Sequence, residues 1–87
     1  MLFACFGEDE LRFAMQCATE LRRQGLRVEV YPEAVKMKRQ MAYADAKCIP
    51  FVAIIGSNEL AEKKVMLKNM LTGEQNLVGV EEIIRAI

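Results

Sequence analysis

Residues 49–56 read I-P-F-V-A-I-I-G. Residues 49–55 carry no charge, and their apolar side chains do not alternate with polar ones. A strand with one wet face alternates, whereas a strand covered on both faces does not. The run therefore predicts a central strand with helices above and below it. Pro50 fits at its head, where a missing N–H is tolerated, and Gly56 breaks it.

Upstream, Leu26, Val28 and Val30 alternate with Arg27, Glu29 and Tyr31, which predicts a strand near a sheet edge, closed by Pro32. Residues 2–6 form a short apolar run closed by Gly7 and predict a buried strand. Between these two strands, Leu11, Ala14, Met15, Ala18 and Leu21 recur at helical spacing, with Arg12, Gln16, Thr19 and Arg23 directed away. Glu8, Asp9 and Glu10 suit the positive end of that helix, and Gly25 supplies its stop. A second helix fits residues 35–47 and turns Met37, Met41 and Ala44 inward.

Downstream, Ser57 can cap a short helical turn through Leu60. Residues 65–70 alternate, and Leu71-Thr72-Gly73-Glu74 reads as a turn into a strand over residues 75–78. Val80, Ile83, Ile84 and Ile87 then mark a last helix, with Glu81 and Glu82 in its first turn and Arg85 near its end. The order is β-α-β-α-β-turn-β-β-α. Right-handed crossovers make the first three strands parallel, and the hairpin makes one later strand antiparallel. The expected architecture is a three-layer α/β/α domain with three main helices.

At 87 residues the chain is sized for one domain. Twelve basic and twelve acidic side chains cancel, so only local charge distribution can indicate a partner. The absence of histidine excludes Ser-His-Asp and Cys-His catalysis and any histidine metal site. Cys5, Cys17 and Cys48 are far apart, with no C-x-x-C, and read as small buried hydrophobes in a reducing compartment. No apolar stretch approaches the roughly 20 residues of a membrane span. The opening M-L-F-A-C-F-G-E-D-E turns acidic too soon for a signal peptide, so a cytoplasmic location is expected.

Ligands of open α/β sheets collect beyond the carboxyl ends of the strands. Those ends are Gly7-Glu8, Pro32-Glu33 and Gly56-Ser57, without a Walker loop or G-x-G-x-x-G. The acidic run after Gly7 has the wrong sign for a phosphate, which argues against a nucleotide cofactor. No pair of groups suits acid–base catalysis, and no catalytic residue or metal ligand is assigned.

The second helix is different. No acidic residue occurs between Glu33 and Asp45, while Lys36, Lys38 and Arg39 do. Lys36, Arg39 or Gln40, and Tyr43 fall on adjacent rows of one face. The face is either a solvated amphipathic surface or a set of phosphate contacts with Tyr43 near a sugar or base. Met37 and Met41 read as core. Glu59, just past the central strand, and Lys68, on the next strand, form a second pair. They are either solubilising charges or readers of a base edge, because a carboxylate accepts from guanine and an ammonium donates to carbonyl or phosphate oxygens.

The stretches M-K-R-Q-M-A-Y-A-D, I-P-F-V-A-I-I-G-S-N-E-L and V-M-L-K-N-M-L-T-G-E-Q resemble the C-terminal anticodon-binding domain of class II aminoacyl-tRNA synthetases. The likeness covers essentially the whole chain and is strongest to the histidine enzymes. The threonine, proline and glycine enzymes carry an Asp-Arg type signature and a glycine where this chain has Tyr31-Pro32-Glu33-Ala34.

The resemblance implies a five-stranded mixed sheet in the order 2-1-3-4-5 with strand 4 antiparallel. It implies that anticodon bases are read at Glu33 and its neighbours, at Glu59 and at Lys68; beside them, the cations Lys36, Lys38 and Arg39 of the second helix would hold phosphates and set register. It also implies that residues 1–87 are one piece of a longer, homodimeric synthetase. ATP and magnesium would then belong to a catalytic domain outside this chain. The expected partners are a tRNA anticodon loop and the rest of the synthetase, with no membrane. The rival readings are a regulatory or protein-interaction module of the same fold, and a flavodoxin-type ligand domain, which would need a phosphate loop that the sequence lacks.

Overall fold

The computed structural model describes residues 1–33 and 35–86. Five strands and four helices follow one another as β1 (Leu2–Cys5), α1 (Glu8–Arg23), β2 (Glu29–Val30), α2 (Met37–Ala46), β3 (Phe51–Ile55), α3 (Ser57–Glu62), β4 (Val65–Asn69), β5 (Gln75–Val78) and α4 (Val80–Ala86). The strands form one sheet in the order β2-β1-β3-β4-β5. β1 is parallel to β2 and β3, and β4 is antiparallel to both β3 and β5. Class, strand order and the single reversed strand all agree with expectation.

Two layers of unequal weight cover the sheet. Phe3, Cys5, Ala53, Ile55, Val65 and Leu67 face one side, where they meet Ala14, Cys17, Ala18 and Leu21 of α1 and Ile83 of α4. Leu60 of α3 packs on that side too. Alternation sends Leu2, Ala4, Val52 and Ile54 to the opposite side, against Met37, Met41 and Ala44 of α2. That second layer is one helix lying over β1 and β3. It leaves Ile54 and Met66 half-buried and Leu77 exposed. The uncharged run 49–55 is therefore central, as expected, but less completely covered than its composition implied.

Glycine sets three helix starts in the same way. Gly7, Gly56 and Gly79 precede α1, α3 and α4, and a glutamate follows each by three residues. Glu59 Oε1 accepts from the Gly56 N–H at 2.8 Å, and Glu82 Oε1 from the Gly79 N–H at 3.4 Å. A Cβ on Gly7 would stand 2.4 Å from Glu10 Oε2, so that carboxylate folds over the same place at α1. This is the carboxylate half of a capping box, and a side chain at Gly7 or Gly56 would require the glutamate to move aside. The cap of α3 is thus Gly56 rather than Ser57, and the helix runs on to Glu62.

At the far end of α1, Gly25 at φ +89° closes a Schellman turn. The Leu26 N–H bonds Leu21 O at 3.1 Å and the Gly25 N–H bonds Arg22 O at 3.0 Å. The same motif ends α2, but there Cys48 takes the left-handed conformation at φ 55°. The Ile49 N–H reaches Ala44 O at 2.9 Å. Cys48 is consequently exposed, against the expectation of a buried thiol.

Other departures have simple causes. Met15 is 51% exposed because it lies about 100° around the helix from Ala14, past the edge of the stripe that Ala14, Cys17, Ala18 and Leu21 define. Phe6, expected in the buried strand, is 58% exposed because the chain bends at Phe6-Gly7 to enter α1. β2 forms a two-residue ladder rather than a strand from residue 26, although Val28 is buried and Leu26 and Val30 are half-buried. In α4, Val80 and Ile83 turn inward and Ile84 is exposed. The expected packing of Ile87 lies outside the described residues.

Burial pushes the Cys5 thiol up from its ordinary 9.0 to about 12, with Glu10 and Cys17 adding to it. Burial alone takes Cys17 to about 11. Both neutral thiols are favoured by the fold. Their contribution is complete below the unfolded value near 9 and is lost as pH rises from there towards 11–12. One thiol, Cys48, should react with Ellman's reagent in the native protein, and two more only after denaturant is added. Three fast thiols at neutral pH would contradict this burial.

Candidate nucleic-acid interface

The connection from β2 into α2 is anchored by Gln40, which is 0% exposed. Its Nε2 donates to Cys5 O and to Val35 O, both at 2.8 Å, and its Oε1 accepts from the Cys5 N–H at 2.9 Å. β2 stops pairing where the Tyr31 N–H meets Phe3 O. Beyond that point Cys5 has no strand neighbour on the β2 side. The side-chain amide of Gln40, with one donor edge and one acceptor, stands in for the missing strand. The expected solvent row of α2 is corrected here, because Gln40 belongs to the interior.

Tyr43 leaves that row as well. Its hydroxyl donates to Glu29 Oε2 at 3.0 Å, and its ring meets Tyr31 edge-on at 5.4 Å between centroids. The hydrogen bond to Glu29, followed by partial desolvation, raises its pKa. Lys47 Nζ lies 5.9 Å from the same ring. Tyr43 is held in a groove of about 260 Å³ lined by Leu2, Glu29, Val30, Tyr31 and Pro32.

With Gln40 and Tyr43 turned away, Lys36, Lys38 and Arg39 remain exposed and line an open groove of about 450 Å³ together with Val35 and Ala42. Lys36 is the N-cap of α2, whose first turn contains no acidic residue. Among the described residues no carboxylate is ion-paired with these three cations. Glu33 is exposed on the same connection, just before them. The helix start and three unpaired cations combine into a local positive field on a neutral chain.

Glu59 occupies the start of α3 at the carboxyl end of β3, half-buried, with Oε1 engaged by Gly56. Among the described residues its Oε2 has no partner. Lys68 is half-buried on β4, opposite Val52 and Gln75. β4 does lie beside β3, as supposed. It is an inner strand, and Lys68 projects on the α2 side. Val52 lies three residues before Ile55, so Lys68 stands about 10 Å below the rim where Glu59 sits. Glu33, Lys36, Lys38 and Arg39 thus follow the carboxyl end of β2, and Glu59 that of β3, with α2 and α3 on opposite faces of the sheet and Lys68 deeper on the α2 face.

Two features of this rim were not expected from the sequence, though only one lacked a signal there. Glu59 as a cap was legible in G-S-N-E, a glycine followed three residues later by glutamate. The clamp by Gln40 had no signal, since a glutamine within K-R-Q-M reads as polar surface. Among the described residues no three or more of His, Cys, Asp and Glu cluster as a metal site would need, and α1 begins with Glu8, Asp9 and Glu10.

This sheet order is that of an open α/β domain with one reversed strand, and the profile for the anticodon binding domain matches residues 2–87. The chain belongs to that family. Among its relatives is the histidine–tRNA ligase of Bacteroides fragilis, 54% identical over 87 residues, which are 100% of this chain and 19% of that one. The histidine–tRNA ligase of Phocaeicola vulgatus is 49% identical over the same span, again 100% and 19%.

Among solved structures, histidyl-tRNA synthetase from Nostoc sp. PCC 7120 superposes with a TM-score of 0.87 at 30% identity, covering 99% of this chain and 21% of that one. The RNA binding domain of threonyl-tRNA synthetase from Cryptosporidium parvum shares the fold at a TM-score of 0.90 and 23% identity, covering 98% and 22%. The chain therefore spans about a fifth of the length of its curated relatives.

Proposed function

We propose that residues 1–87 are the anticodon-recognising domain of a longer synthetase that ligates histidine to its tRNA, and that they bind RNA without catalysing a reaction. The observation that carries this reading is the groove of Lys36, Lys38 and Arg39, unpaired among the described residues, at the rim of a family-matched fold. Cations hold phosphates and fix register but carry no sequence information. The unpaired bases of a loop splay out and offer their Watson–Crick edges. Glu59, through its free Oε2, and the loop at Glu33 would meet those edges. Lys68 would reach them or a phosphate from the sheet face below. A wrong base would leave buried polar groups unpaired, at about 1–3 kcal/mol each.

ATP and magnesium would act in the part of the synthetase beyond this chain, the whole enzyme would be a homodimer, and its setting would be the cytoplasm. The absence, among the described residues, of a helix long and apolar enough to cross a membrane is compatible with that setting. A regulatory module of the same fold is not favoured, because the relatives named above are ligases.

Glu59→Gln tests the reading role. The amide oxygen keeps an acceptor for Gly56, so the cap survives, while the carboxylate is lost. The expected result is a preference for the cognate anticodon that falls by about 1–3 kcal/mol, with the melting temperature nearly unchanged. Unaltered discrimination between cognate and altered stem-loops would remove Glu59 from the interface.

A further inference from the structure

Phe6 is 58% exposed, while every other aromatic side chain is buried or half-buried. A solitary exposed apolar residue needs no explanation. The surroundings of this one do. The ring lies against Gly56, whose Cβ, if present, would come within 3.3 Å of it. Gly7 is its other neighbour along the rim, so two residues without side chains leave the ring open to approach. Continuing the alternation of β1 by one residue directs Phe6 to the α2 side.

The residue before it is fixed on both polar groups by Gln40, one residue along α2 from Arg39. The residue beneath its ring, Gly56, is fixed by Glu59. The exposed ring thus lies beside the Gly56–Glu59 cap at the carboxyl end of β3, on backbone held at both ends. An exposed aromatic ring beside a carboxylate with an unpartnered oxygen can stack on an unpaired base whose edge that carboxylate meets.

We propose that Phe6 is the stacking platform of this interface and binds the face of one anticodon base; this rests on the RNA reading above. Stacking supplies affinity without charge, so its loss and the loss of a cation have different signatures. The test titrates the 87-residue chain, Phe6→Leu and Phe6→Tyr with an anticodon stem-loop at several salt concentrations. Phe6→Leu should bind about 5- to 150-fold more weakly, which is about 1–3 kcal/mol at tenfold per 1.4 kcal/mol. Its salt slope should equal the parent's, and Phe6→Tyr should bind within about twofold of the parent, since a phenol ring keeps the stacking face.

A second readout uses 2-aminopurine at each anticodon position in turn. One position should lose emission on saturation with the parent or Phe6→Tyr and keep it with Phe6→Leu. Parent-like binding by Phe6→Leu, or full emission at every position in the parent complex, overturns the stacking role alone. A parent chain that binds no stem-loop overturns the RNA reading beneath it.

Discussion

Gln40→Leu should lower the unfolding free energy by about 3–5 kcal/mol, the range expected when several buried polar groups lose their partners together. The side chain is fully buried, and its amide makes three hydrogen bonds, to Cys5 N, Cys5 O and Val35 O. Leucine fills similar space but leaves one N–H and two carbonyls without partners. Each unmade bond costs about 1–3 kcal/mol, and relaxation of the rim recovers part of the sum. Domains of this size have roughly 5–15 kcal/mol in total, so the loss is a large fraction of stability. In urea the midpoint should fall with an unchanged slope. A shift worth less than about 1 kcal/mol would show that water or the backbone replaces the amide without penalty.

Replacing Lys36, Lys38 and Arg39 together by alanine should have the opposite profile, with a large effect on binding and a small one on stability. All three are exposed and none is ion-paired with a described residue, so the fold loses little. If each neutralises one phosphate of an unpaired strand, the logarithmic salt slope should fall by about 2. Affinity at about 0.1 M salt should fall about 100-fold, and equally for cognate and altered anticodons. Loss of discrimination rather than affinity would mean that these side chains read bases.

The fold was legible because two periodicities were unambiguous. The run at 49–55 could only be central, and the alternation at 26–31 could only be peripheral. Adding the family resemblance fixed the strand order. What stayed hidden depends on where neighbouring elements stop. Phe6 reads as core until the bend at Gly7 is known, and Gln40 reads as surface until β2 is seen to end two residues short of Cys5. Met15 failed for a finer reason, since a stripe of small residues narrows the buried arc of α1. The local excess of positive charge at Lys36, Lys38 and Arg39 is legible in the sequence because charge needs no partner geometry to be seen, and the three line one groove. Lys68 was placed on the right strand but too near the rim, since residue spacing gives no depth along a sheet.

Whether this rim grips an unpaired anticodon is decided by one titration. The 87-residue chain is titrated with the anticodon stem-loop of histidine tRNA and with a stem-loop of identical length and stem whose three anticodon bases are scrambled. The cognate loop should bind more tightly by about 10-fold or more, and both complexes should show the same salt slope, since phosphates set the slope and bases set the difference. Equal affinities for the two loops, or no binding to either, would contradict an anticodon grip.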